Sequence, residues 1–132
     1  KGIFVHAISV DAEQRILLIE AEGISVAHLG ALKRPLTNSE LEALSNVDIL
    51  LVPVGGGRFL HPKTATEVLA QIEPRIVVPY AYAITGVKEK LEPLEAFCKA
   101  LGVCKREDVG KLKVTRKNLP EDEMMIYVLE RV

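Results

Sequence analysis

The sequence has no tryptophan, and only three tyrosines and three phenylalanines among its 132 residues. Surfaces that grip single-stranded nucleic acid stack bases on aromatic rings, so this scarcity argues against one. Neither sign of charge is in excess: 17 basic and 18 acidic side chains leave a formal net charge of −1. No strong field is available to draw in a polyanion or an anionic membrane surface, so neither nucleic acid nor membrane is expected as a partner. No apolar run approaches the roughly 20 residues of a membrane span. The two cysteines, Cys98 and Cys104, have neither C-x-x-C spacing nor a histidine cluster nearby. They are expected as plain thiols, which fits a cytoplasmic location. No Ser-His-Asp set and no paired carboxylates stand out. The chain opens on Lys1 rather than methionine, in what already reads as a strand. It is therefore expected to begin inside a longer gene product or after processing, with no signal peptide of its own.

What is present is a central unit from Val47 to Tyr82. Ile49 to Val52 and Ile76 to Val78 are short unbroken apolar runs bounded by proline and glycine, the pattern of strands buried on both faces. Between them Ala65, Val68, Leu69 and Ile72 recur at the spacing of one helical stripe. Thr64 and Glu67 have the spacing of a capping box, and Pro74 is a stop signal. Strand, helix and strand in that order predict a parallel βαβ crossover. Upstream, Ile3 to Val10, Ile16 to Ile19 and Ile24 to Ala27 read as three antiparallel strands, with turns at Asp11-Ala12-Glu13 and Glu22-Gly23. Thr37 and Glu40 repeat the capping-box spacing and open a short helix with Leu41 and Leu44 inward.

Downstream, Pro93 suits the first position of a helix whose stripe is Leu94, Phe97, Cys98 and Leu101, with Gly102 as its stop. Lys105 to Gly110 reads as a polar connection. Leu112 to Thr115 and Met124 to Leu129 read as the last strands, separated by a turn-rich stretch that includes Glu121, Asp122 and Glu123. At 132 residues, without internal repeat or linker, this is one α/β domain spanning residues 1–132.

Three places could carry chemistry. His28-Leu29-Gly30 ends a strand, where an imidazole serves as a ligand, as a base, or as a loop histidine bonded to backbone. Gly55-Gly56-Gly57 lies between a strand and a helix, where anion-binding loops sit. No Lys-Ser/Thr follows these glycines, so a tight structural turn is the plainer reading, with Arg58 and His61 solvated. Asp48, just before a buried strand, suits a backbone-bonding role.

The order His28-Leu29-Gly30, Leu36-Thr37, Val47-Asp48-Ile49-Leu50-Leu51-Val52-Pro53-Val54-Gly55-Gly56, then Ile72-Glu73-Pro74-Arg75-Ile76-Val77-Val78-Pro79 resembles the C-terminal half of a metallo-β-lactamase-fold protein. The likeness is to the zinc-dependent hydrolase-like branch with a His-Leu-Gly-Asp loop and a Pro-Met-His-Tyr loop, and it spans nearly the whole chain. It implies half of an αββα sandwich, a mixed sheet with helices on one face, whose metal site lies at an edge between the halves. The His-x-His-x-Asp-His cluster of the N-terminal half is absent from this sequence. The two ligands expected from this half fall on Ala31 and Ala81, and a methyl group has no lone pair for a metal.

The resemblance thus implies the fold and no catalytic or metal residue within this chain. No cofactor is expected, and zinc only if a missing half supplies ligands. The expected function is a non-catalytic, self-associating structural or interaction module, a homo-oligomer paired through an exposed sheet face. One alternative is part of a metal-dependent hydrolase whose histidine cluster comes from a missing N-terminal half or a partner chain. Another, weaker, is an anion module using His28, Gly55, Gly56, Gly57 and Arg58.

Overall fold

A computed structural model of the chain describes residues 2–10, 14–84, 88, 90–102, 106–120 and 124–129. The expected turn at Asp11 to Glu13, the acidic run Glu121 to Glu123, and Cys104 lie outside the described residues. Among the described residues seven strands form one sheet: β1 (Ile3–Ser9), β2 (Arg15–Ala21), β3 (Ile24–His28), β4 (Ile49–Pro53), β5 (Ile76–Tyr80), β6 (Arg106–Val109) and β7 (Met125–Leu129). Their order across the sheet is β1-β2-β3-β4-β5-β7-β6. The first three pair antiparallel, and β3, β4, β5, β7 and β6 run parallel. Helices α1 (Asn38–Ala43), α2 (Pro62–Ile72) and α3 (Leu94–Leu101) supply the crossovers.

The helices share one side of the sheet. Leu44, Ala65, Val68, Leu69, Leu94 and Phe97 pack into one cluster with Ile16, Leu18, Ala27, Leu50, Val52 and Val77. The other side carries Ile49, Ile76 and Val78, partly covered by Leu112, Val114 and Leu119 from the segment before β7. Strand β4 is buried over most of its length, as its unbroken apolar run requires. Strand β2 alternates, with Ile16 and Leu18 buried toward the helices.

The Thr37 capping box is present: the Glu40 amide donates to Thr37 Oγ1, and Glu40 Oε1 accepts from the Thr37 amide at 2.9 Å. Four expectations are corrected. Helix α2 is capped by His61 with Pro62 as its first residue, so Thr64 lies inside it, and Glu73 closes it in a left-handed conformation ahead of Pro74. Proline at the first turn loses no bonded N–H, which makes this start the better one. Pro93 caps α3 from outside its first turn. Arg106–Val109, expected as a polar connection, is the edge strand β6. Pairing with β7 overrides its charged composition, and charge on an edge strand blocks further pairing. Leu112 to Thr115 forms no strand; it leads into a single 3₁₀ turn, Arg116–Asn118. Its alternating Leu112 and Val114 cover the sheet instead of joining it.

Cys98 is disulfide-bonded, against the expectation of a plain thiol. The inference of a reducing compartment loses its basis with the thiol. Among the described residues no helix is long and apolar enough to cross a membrane.

Candidate functional site

Parallel strands β3, β4 and β5 end together, with His28 beside Leu51 and Pro53 beside Tyr80 in register. Loops leaving the carboxyl ends of parallel strands are where ligands of open α/β sheets bind. Ala31 follows β3, the glycine run follows β4, and Ala81 follows β5, so the fold brings all three to one edge. Ala31 and Ala81 are both half-buried.

The turn after β3 has its polar groups accounted for from within the protein. The Leu29 amide donates to the Leu51 carbonyl at 3.2 Å. The Leu29 carbonyl accepts from Gln14 Nε2 at 3.2 Å. The Gly30 amide donates to His28 Nδ1 at 3.0 Å. The Gly30 carbonyl accepts from the Tyr80 hydroxyl, fifty residues away in sequence. The Tyr80 ring also packs on the His28 imidazole, centroids 4.8 Å apart. Gly30 itself is left-handed (φ 65°), and a side chain there would strike Gln14. Burial pushes the Tyr80 phenol far above the ordinary tyrosine range, so it remains a donor. Burial lowers the His28 pKa. With Nδ1 accepting, the neutral ring carries its proton on Nε2.

The glycine run is a structural turn by its bonds. The Gly56 amide donates to the Leu60 carbonyl at 2.8 Å and the Gly56 carbonyl accepts from Phe59 at 2.9 Å. The Gly55 carbonyl accepts from Glu92 at 2.8 Å, and a Cβ on Gly55 would collide with the Ala81 carbonyl. Arg58 stacks over Phe59 at 4.7 Å. His61 is exposed, and it accepts the Lys63 amide through Nδ1 at 3.2 Å as the cap of α2.

Asp48 lies at the opposite edge, at the start of β4. It accepts the Ser25 amide at 3.0 Å and two bonds from the Arg116 guanidinium at 3.1 and 3.2 Å. Arg116 also donates to the Gly23 carbonyl. The backbone role expected of Asp48 is therefore present, with an added ion pair from the 3₁₀ turn. Composition and spacing gave no sign of Arg116, nor of Tyr80 and Gln14. The one available hint for Tyr80 was a tyrosine at the end of a buried strand, whose hydroxyl needs a partner.

The residues at the loop edge do not fit a zinc centre of this chain's own. Ala31 and Ala81, in the loops after β3 and β5, offer no side-chain donor. His28 could present Nε2 to a metal only by moving its proton to Nδ1, against the Gly30 amide. Among the described residues no three histidine, cysteine, aspartate or glutamate side chains converge to hold an ion.

Comparison with known proteins points one way. The family profile of the beta-lactamase superfamily domain matches residues 7–81. A UPF0173 protein of Pyrococcus furiosus is 38% identical over 70 residues, which is 53% of this chain and 31% of that protein. A Thermotoga maritima protein, described as a candidate zinc-dependent hydrolase of the metallo-β-lactamase superfamily, superposes with a TM-score of 0.84 at 28% identity. The match covers 98% of this chain and 66% of that one. The metallo-β-lactamase-fold protein YhfI of Bacillus subtilis superposes at 0.59 with 9% identity, a likeness of fold alone. The chain thus spans less than two thirds of the length of these relatives.

Proposed function

The chain belongs to the beta-lactamase superfamily domain family, and on that premise we propose that it is a half-sandwich that hydrolyses nothing by itself and serves as a self-associating structural or interaction module. The observation that carries the reading is chemical: the strand-end loops of β3 and β5 present methyl groups at Ala31 and Ala81. Catalytic zinc takes about three protein ligands plus water, and no rotamer change supplies a missing donor.

Self-association is supported by the sheet face turned away from the helices. Strand register puts Ile3, Val5, Leu17, Ile19, Ile24 and Val26 on that face. Ile3 is 72% exposed, Val5 59% and Leu17 40%. Among the described residues of β1 to β3, Arg15 at the far end of β2 is the one charged side chain on this face, so a second copy can meet the rest of the patch without like-charge repulsion. The two sheet edges differ in the same sense. Strand β6 is short and charged, with Arg106 bonded to Asp108 at 3.1 Å, while β1 has seven residues and no aspartate, glutamate, lysine, arginine or proline, His6 being its one titratable side chain.

A second reading is that of a metal-dependent hydrolase whose histidine cluster comes from chain outside these residues. It is favoured by the coverage of 66% of the Thermotoga maritima relative, whose description is that of a candidate zinc-dependent hydrolase. Elemental analysis and light scattering of the full-length native protein separate the two. The first reading expects no stoichiometric transition metal and a dimer or larger assembly at micromolar concentration. One zinc, iron or manganese per chain overturns the non-catalytic reading in favour of the second. A monomer at that concentration overturns self-association.

A further inference from the structure

Metal centres commonly act as ties, holding together loops that come from distant parts of a chain. At the loop edge of this sheet that tie is made by other means. The Tyr80 hydroxyl, on the last residue of β5, donates to the carbonyl of Gly30, two residues past the end of β3. No sheet pairing joins these strands directly, because β4 lies between them.

We propose that Tyr80 is a metal-independent staple: its hydroxyl and ring fix the His28-Leu29-Gly30 turn against β5, so the edge keeps its shape with no ion bound. Deepening the non-catalytic reading, the proposal rests on it and adds which residue replaces a metal as the cross-strand link.

Four features carry it. Both polar groups of Gly30 are held by the same pair of residues, its amide by His28 and its carbonyl by Tyr80, and the two rings pack tilted with centroids 4.8 Å apart. The Leu29 amide and carbonyl are held by Leu51 and Gln14. Satisfied backbone in a turn is rigid backbone, because opening it would strand buried donors and acceptors. On the β5 side Ala81 is left-handed (φ 58°), and its carbonyl packs against Gly55 so closely that no Cβ would fit. A strained residue persists where its surroundings over-determine it, and the staple lies one residue away.

The test is amide hydrogen exchange by NMR on the full-length native protein and its Tyr80→Phe variant, each with added zinc and with EDTA. Phenylalanine keeps the ring on His28 and removes only the donor. The expected result is faster exchange of the Leu29 and Gly30 amides in Y80F, on the order of tenfold, with α2 amides such as Leu69 unchanged. Wild-type exchange at these positions is expected to be the same in zinc and in EDTA. Unchanged Leu29 and Gly30 exchange in Y80F overturns the staple and leaves the non-catalytic reading standing. Protection in the wild type that appears only with zinc overturns both. A second measurement does not depend on the variant folding. The Tyr80 hydroxyl proton in the wild type is expected to exchange slowly enough to show a contact with Gly30, and its absence at low temperature counts against the bond.

Discussion

The Tyr80 hydroxyl and the Gly30 carbonyl meet across the ends of two strands that are not neighbours in the sheet. This one bond joins the loops on which Ala31 and Ala81 sit, where the resemblance to zinc-dependent hydrolases would place an oxygen and a nitrogen donor. The edge is held together by hydrogen bonds between these loops.

Charge on the open sheet face is expected to break the proposed self-association. Val5 and Leu17 are exposed and lie on the side away from the helices. The Val5→Lys, Leu17→Lys double variant loses little packing, so its melting temperature is expected to stay within a few degrees of wild type. Light scattering should report the monomer mass. A double variant that remains fully assembled would show that some other surface makes the contact.

Glu40 sets an acid limit on stability. Its carboxyl is pulled down to about 2, first by the hydrogen bond from Arg34, with the Thr37 amide adding to it and burial opposing. The Arg34 guanidinium grips both carboxylate oxygens at 2.9 Å. A depressed carboxyl contributes stability that is complete above its ordinary value near 4.5 and is lost as the pH falls toward 2. Glu40→Gln is expected to cost about 1–2 kcal/mol at neutral pH and to flatten that acid slope in a urea titration series.

His28 acts in a separate window. Its folded pKa lies below 6.5 because burial disfavours the imidazolium. The unfolded chain therefore binds the proton more readily. The cost of charging this group is absent above pH 6.5. It grows as the pH falls below 6.5 and levels off once the folded pKa is passed. His28→Gln should remove this slope and leave the Glu40 slope at lower pH untouched. A wild-type curve that is flat from pH 7 to 5 would contradict it.

Two backbone positions at the loop edge predict opposite signs. Ala81 is left-handed, a conformation that costs an ordinary residue about 1 kcal/mol or more. Ala81→Gly is expected to stabilise the fold by about 0.5–1 kcal/mol after its entropic cost. Gly55 has no room for a Cβ against the Ala81 carbonyl. Gly55→Ala is expected to destabilise by about 1–3 kcal/mol, since the obstruction is backbone. Denaturant midpoints of the two variants shifting in the same direction would argue against this packing.

The sequence made much of the fold readable, for identifiable reasons. Strands β4 and β5 are buried on both faces and so had to be continuous apolar runs. The Thr37 box announces α1 through a local bond, and local bonds leave a local pattern. What was misread depends on distant partners. Arg106–Val109 is a strand only because β7 lies beside it. Leu112 and Val114 alternate as a strand would, yet their alternation serves to cover Ile49, Ile76 and Val78. At the candidate site the sequence shows alanine at positions 31 and 81, where the resemblance expects ligands. The bond from Tyr80 to Gly30 could not be read, because nothing in the sequence ties together two residues fifty positions apart.

The central claim is that this chain's own side chains build no metal centre at the loop edge. Cobalt(II) titration of the full-length native protein, followed by visible absorption, tests it most directly, because a tetrahedral protein site gives intense d–d bands that aqueous cobalt lacks. The account predicts a featureless titration, the same in wild type and in the His28→Gln variant. Saturable bands with an endpoint near one cobalt per chain, lost in His28→Gln, would contradict it.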